Sequence, residues 1–251
     1  MENKENNDVF NLAADTIMKW YQQTRNNMVK VSSHHDVELM GILLTAESQT
    51  SGALTTLESN HILSTHGLLR ILVETYAVLR WTLNVSASDE KTKSGEVYKR
   101  LRRWDCTRLN KDKALLETLP RTPEIESALG KVNKDIEKLE KEHIKELPNN
   151  RQLYESLGKE WVEVYARFYM KYSRAVHLNR NVTRKLVRVQ YESGEPKAVV
   201  YNNDIEPEGD ELITIASISS DINRAIRDFY GWQSDAMQKE YEQLRDRLVK
   251  K

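Results

Sequence analysis

Apolar residues recur at helical spacing from the start of the chain. Val9, Leu12, Ala13, Ile17, Trp20, Met28 and Val31 keep that spacing and predict a first helix over residues 8–31. A Ser-Ser-His-His-Asp break follows. Residues 35–58, rich in Gly, Ala, Ser and Thr, predict a second helix whose small side chains admit a close neighbour. Ser59 or Asn60 can cap the next one. Over residues 60–85, Leu63, Leu69, Leu72, Val73, Tyr76, Leu79 and Trp81 point in nearly every direction around the axis. A helix apolar all round is buried on most sides, so this one is placed at the centre of the fold.

The pattern then changes twice. Ile125, Leu129, Val132, Ile136 and Leu139 alternate steps of four and three, the seam of a helix pair, in a stretch otherwise dominated by charge. Val97, Leu101 and Trp104 supply the facing stripe, and Pro120 and Pro123 mark the turn. Residues 92–147 are therefore expected to form a projecting helical hairpin. Residues 151–178 predict another amphipathic helix through Leu153, Leu157, Trp161, Phe168 and Val176. Next, Lys185–Tyr191 and Ala198–Tyr201 are β-prone runs around Glu-Ser-Gly-Glu-Pro, which predicts a small β-hairpin insertion at 184–203. An acidic loop, Asp204 to Glu211, leads to a last helix over 212–249, with a kink expected at Gly231.

The expected fold class is thus mainly all-α: one domain, residues 1–251, a multi-helix bundle with a long helical hairpin and one small inserted β-hairpin. Nine glycines and five prolines in 251 residues are too few for an all-β chain with a turn every ten residues or so. The single cysteine, Cys106, forms no intrachain disulfide, which suits a reducing compartment. MENKENNDVF has neither the basic nor the apolar part of a secretory signal, and no uninterrupted apolar run approaches the ~20 residues of a membrane span. A cytoplasmic location without membrane contact is expected. The apolar third helix and the 125–139 seam suggest closure of hydrophobic faces in a two-fold homodimer.

Net charge is zero, so bulk charge selects no polyanion and local asymmetry decides. Residues 167–190 carry net +7 and residues 91–113 net +6, with Tyr98, Trp104, Phe168, Tyr169 and Tyr172 interleaved. Cations that neutralise phosphates beside rings that stack bases suit nucleic acid. A solvated face balanced by the acidic loop accounts for the same runs. His66, Arg70 and Glu74 stand at i, i+4 and i+8 on one face of the third helix. They read either as an ion pair bracing the bundle or as a site wall in which Arg70 holds an anion and Glu74 orients it. Ser173 and His177 also share a face, either as an ordinary helix end or as part of a site. No Gly-x-Ser-x-Gly elbow, His-Glu-x-x-His or Gly-rich phosphate loop occurs. His34, His35 and Glu38 are weak metal ligands, and neither metal nor cofactor is expected.

Three segments in order, RILVETYAVLRW (70–81), YKRLRRW (98–104) and YSRAVH (172–177), resemble a widespread bacterial and archaeal helical family known as a domain of unknown function. Its build is similar to the HEPN superfamily, whose active members are metal-independent ribonucleases, often toxins or antiphage effectors. The resemblance spans roughly residues 35–245. The superfamily's mark is Arg, four to six residues, then His on a late helix. Here the nearest arginines before His177 are Arg174 and Arg167, so an Arg from another helix, Arg70 or Arg103, would have to serve.

On this resemblance the chain is expected to be a nucleic-acid-directed effector, a HEPN-like ribonuclease of bacterial defence or toxin function. His177 would be the general acid/base. Arg70 and Arg103 would meet the phosphate charge, Glu74 would orient Arg70, and Ser173 would hydrogen-bond substrate or His177. Arg100, Arg102, Lys171, Arg174, Arg180 and Arg184 would contact the nucleic acid. RNA, a second copy and a protein partner encoded nearby are the expected partners. The competing expectation is a non-catalytic helical interaction module with Arg70 and Glu74 as a core brace.

Overall fold

Along the first segment the buried positions are Ala13, Ile17, Trp20, Tyr21, Thr24 and Met28, a single stripe one helix face wide. They belong to α1 (Glu2–Met28). The computed structural model describes residues 2–28, 34–86, 89–164, 166–167, 171–172, 187–192, 195–201 and 210–249. Helices α2 (His34–Glu58), α3 (Ile62–Leu83), α4 (Glu90–Glu117), α5 (Pro123–Lys141), α6 (Asn150–Leu157) and α7 (Lys159–Val164) follow. Strands β1 (Val187–Glu192) and β2 (Glu195–Tyr201) precede α8 (Glu211–Phe229) and α9 (Asp235–Val249). The protein is a multi-helix bundle.

Helix α3 sits at the centre as its pattern predicts, packed against α2, α8, α6 and α4. By length and composition it could cross a membrane, yet 56% of its most apolar window is buried against the rest of the chain. Small residues on α2 do let α3 come close: a Cβ on Gly52 would lie 3.2 Å from Leu68 Cδ1. Ile215, Ile222 and Ile226 of α8 complete the main core with Leu69, Leu72 and Leu79 of α3. A chain of buried hydroxyls ties three helices together. Tyr21 and Thr50 lie 3.0 Å apart, and Thr50 and Ser219 3.2 Å. Burial pushes the Tyr21 hydroxyl up to about 12.

The α4–α5 hairpin carries a second, smaller core of Cys106, Leu109, Ile136, Leu139 and Ile144. Both helices are capped at their starts: Asp89 accepts from the Thr92 amide at 2.9 Å, and Thr122 from the Ile125 amide. Only the base of the hairpin, Val97 and Leu101, joins the main core.

Four helix ends depart from the sequence expectation for one reason, a residue with positive φ. Asn60 (φ 56°) closes α2 rather than capping α3, with the His61 amide on the Thr56 carbonyl at 2.7 Å. His143 (φ 57°) ends the hairpin's second helix at Lys141, short of residue 147, with the Ile144 amide on the Leu139 carbonyl. Gly231 (φ 67°) stops α8 at Phe229, so the expected kinked 212–249 helix is two helices, α8 and α9. The expected 151–178 helix is also broken, at Gly158 (φ 112°) between α6 and α7. A glycine adopts these angles without Cβ strain, and the hydrogen bonds then satisfy the terminal carbonyls instead of bending the helix.

Strands β1 and β2 pair antiparallel, Val187 opposite Tyr201 and Val189 opposite Val199. The remaining positions of the 184–203 segment, 184–186, 193–194 and 202–203, lie outside the described residues.

Candidate functional site

The polar face of α3 is where the sequence pattern and the structure meet. His66, Arg70 and Glu74 follow one another at successive turns, and their side chains are half-buried. Arg70 Nη2 donates to Glu74 Oε1 at 3.4 Å, and Asn150 Nδ2 at the start of α6 donates to the same oxygen at 3.3 Å. The Arg70 and Glu74 side chains are 19% and 32% exposed, so the pair is open to solvent rather than sealed. Asn150 is placed there by a capping box, Asn149 with Gln152, that fixes the start of α6.

One turn back, His66 Nε2 lies 2.9 Å from Glu211 Oε1. Glu211 opens α8, where the free amides of a first turn favour a negative side chain. Burial disfavours its charge. The bonds from His66 and from its own backbone amide, with Lys171 nearby, outweigh that and hold it below the usual carboxylate range. Tyr172 packs on the His66 ring with centroids 5.0 Å apart, and its hydroxyl lies 3.4 Å from Thr214 Oγ1. Burial pushes that hydroxyl up to about 12. Lys171 Nζ reaches Asp210 at 3.2 Å and lies 5.4 Å from the Tyr172 ring centre. One carboxylate, one imidazole and one guanidinium thus stand along two turns of α3.

The basic residues of α4 have other partners. Arg100 donates to the Trp81 carbonyl and, at 3.0 Å, to the Asn84 carbonyl, which satisfies the end of α3. Arg103 Nε donates to the Glu146 carbonyl at 2.8 Å and the Lys145 carbonyl at 3.2 Å. Both guanidinium carbons lie 5.0 Å from the Trp81 ring centre. Arg102 donates to the Tyr98 hydroxyl at 2.9 Å and pairs with Asp105 and Glu142 at 3.5 Å. Arg103 therefore sits at Trp81, eleven residues along α3 from Arg70. At 1.5 Å per residue, Trp81 stands about 16–17 Å of helix beyond Arg70.

Ser173, Arg174, His177, Arg180 and Arg184 lie outside the described residues. Among the described residues no three His, Cys, Asp or Glu side chains gather as metal ligands. His35 faces Phe229 and lies 3.4 Å from Asp36. A cleft of about 410 Å³ between α2, α3 and α4 is lined by Glu38, Ile42, Thr45, Thr75, Leu101 and Trp104. Glu211 and Asn150 are the site residues that sequence reasoning missed. The only signal for Glu211 was an acidic residue at a helix start, and it was read as part of the charged loop. No protein-family model, curated protein or solved structure matches the chain.

Proposed function

We propose that this chain is a nucleic-acid-directed effector, a metal-independent ribonuclease of HEPN-like type acting in bacterial defence or as a toxin. One observation carries the reading: the Arg70–Glu74 pair is half-open beside His66 instead of sealed as a core brace. A guanidinium held by a carboxylate can meet the charge that builds on a phosphate in cleavage. His177 acts as general acid/base and Ser173 holds it or the substrate. Lys171, Arg174, Arg180 and Arg184 track the backbone. The fold around this site is one domain with a projecting hairpin and a β-hairpin insertion at 184–203. It works in the cytoplasm as a homodimer, with RNA and a protein encoded nearby as partners.

A second reading, a non-catalytic interaction module, is favoured by the internal bonds of Arg100, Arg102 and Arg103. Those bonds commit much of the α4 charge to holding the hairpin onto α3. Purified protein incubated with labelled RNA at low and high salt separates the two. The effector reading expects binding that weakens steeply with salt and decay that is lost in His177→Ala. Affinity unaffected by salt, with no decay in any buffer, leaves the interaction module.

A further inference from the structure

Glu211 has a property that packing alone does not explain. It is 1% exposed, Oε1 is bonded to His66, and Oε2 has no hydrogen bond to any other described residue. A buried carboxylate is costly to keep charged, and such groups commonly neutralise by binding a proton. Here the group is instead held in its charged form. The charge is therefore maintained opposite the imidazole. With a carboxylate as acceptor, His66 Nε2 carries its hydrogen, and in the neutral ring Nδ1 keeps the lone pair. No other described residue hydrogen-bonds the ring, and 12% of the side chain stays open. Tyr172 packs on the ring, so its position is held by ring and carboxylate together. Arg70 lies one turn away on the same face.

We propose that His66, positioned by Glu211, is a catalytic proton acceptor that takes the proton of a ribose 2′-hydroxyl at Nδ1. This rests on the ribonuclease reading above and adds to it a second histidine, on α3. As the proton moves to Nδ1, the 2′ oxygen bonds to the adjacent phosphorus and the bond from phosphorus to the 5′ oxygen breaks. The imidazolium releases its proton to water, and the departing 5′ oxygen takes one from the general acid of the reading above. The products are a 2′,3′-cyclic phosphate and a 5′-hydroxyl, with no oxidant or metal consumed. Glu211 stabilises the imidazolium that forms, and Arg70 meets the charge on the phosphate oxygens.

The test uses the full chain and 5′-labelled single-stranded RNA of mixed sequence, with an all-deoxy strand of the same sequence as control. The wild type is expected to cleave the RNA to cyclic-phosphate ends and to spare the deoxy strand. His66→Gln should lose about 10²–10⁴-fold in rate with its circular dichroism spectrum retained. Added imidazole should restore part of that loss. Glu211→Gln keeps an acceptor for Nε2–H but removes the charge. It should lower kcat while leaving KM for RNA unchanged, a split that a purely structural contact does not produce. Cleavage by His66→Gln at the wild-type rate overturns the assignment, as does a folded variant that imidazole does not restore. If His66→Gln does not fold, a folded Glu211→Gln that cleaves with the wild-type kcat overturns it. Absence of cleavage by the wild type overturns the ribonuclease reading itself and takes this assignment with it.

Discussion

Replacing Arg103 separates a structural arginine from a nucleic-acid contact. Its guanidinium bonds the carbonyls of Lys145 and Glu146 and lies 5.0 Å from the Trp81 ring centre, so it ties the connection after α5 to the end of α3. The two carbonyls belong to exposed residues, which places each charge-assisted bond near ~1 kcal/mol rather than at the ~3 kcal/mol upper end. A partly exposed cation–π contact adds about 0.5–1 kcal/mol. Arg103→Ala should therefore lose about 2–3 kcal/mol. For a chain of this length that is roughly 4–12 °C in melting temperature. Arg103→Lys is the decisive companion. It keeps the charge but lacks the planar fork that spans two carbonyls, so it should also be destabilised. Thermal unfolding followed by circular dichroism reads both variants. If both melt with the wild type, while Arg103→Ala alone weakens RNA binding, the guanidinium is a nucleic-acid contact and the structural reasoning is refuted.

Glu74→Gln should cost about 1 kcal/mol or less in urea unfolding, because the Arg70–Glu74 pair is open to solvent and Asn150 keeps an acceptor there. A loss of ~3–5 kcal/mol would instead mark a sealed charge pair. Glu211, whose folded pKa is lowered, contributes stability that is present above the ordinary carboxylate range and is lost as pH falls through the lower folded value. The stability gap between wild type and Glu211→Gln should thus narrow between neutral pH and about pH 3, as measured by urea titrations at each pH. A gap constant with pH would show that the charge contributes nothing to folding.

Stripes such as Ala13–Ile17–Trp20 and the 125–139 seam were legible because helical period and burial are local properties. Helix ends were harder. Gly231 was visible as a kink and Gly158 was read through as part of one helix; a glycine can bend a helix or end it, and only its backbone angle and hydrogen bonds decide. His143 gave no warning, since a non-glycine residue in that conformation is rare. At the site, the His66–Arg70–Glu74 spacing was readable from one helix. Its partner Glu211 lies 145 residues away, and no local pattern reports such a pairing. Counting charge overstated the surface offered by α4, because carbonyls that hold arginines carry no sign in the sequence.

The separate core of the α4–α5 hairpin has a practical consequence. Its packing is largely its own, so the outer part of the hairpin can open while the main bundle stays closed. Cys106, the chain's single cysteine, sits inside that smaller core, where burial raises the thiol's pKa and keeps it unreactive. The rate at which a thiol reagent labels the native protein therefore reports opening around Cys106, without an engineered probe. Anything that docks on the hairpin and clamps it shut will announce itself by slowing that rate.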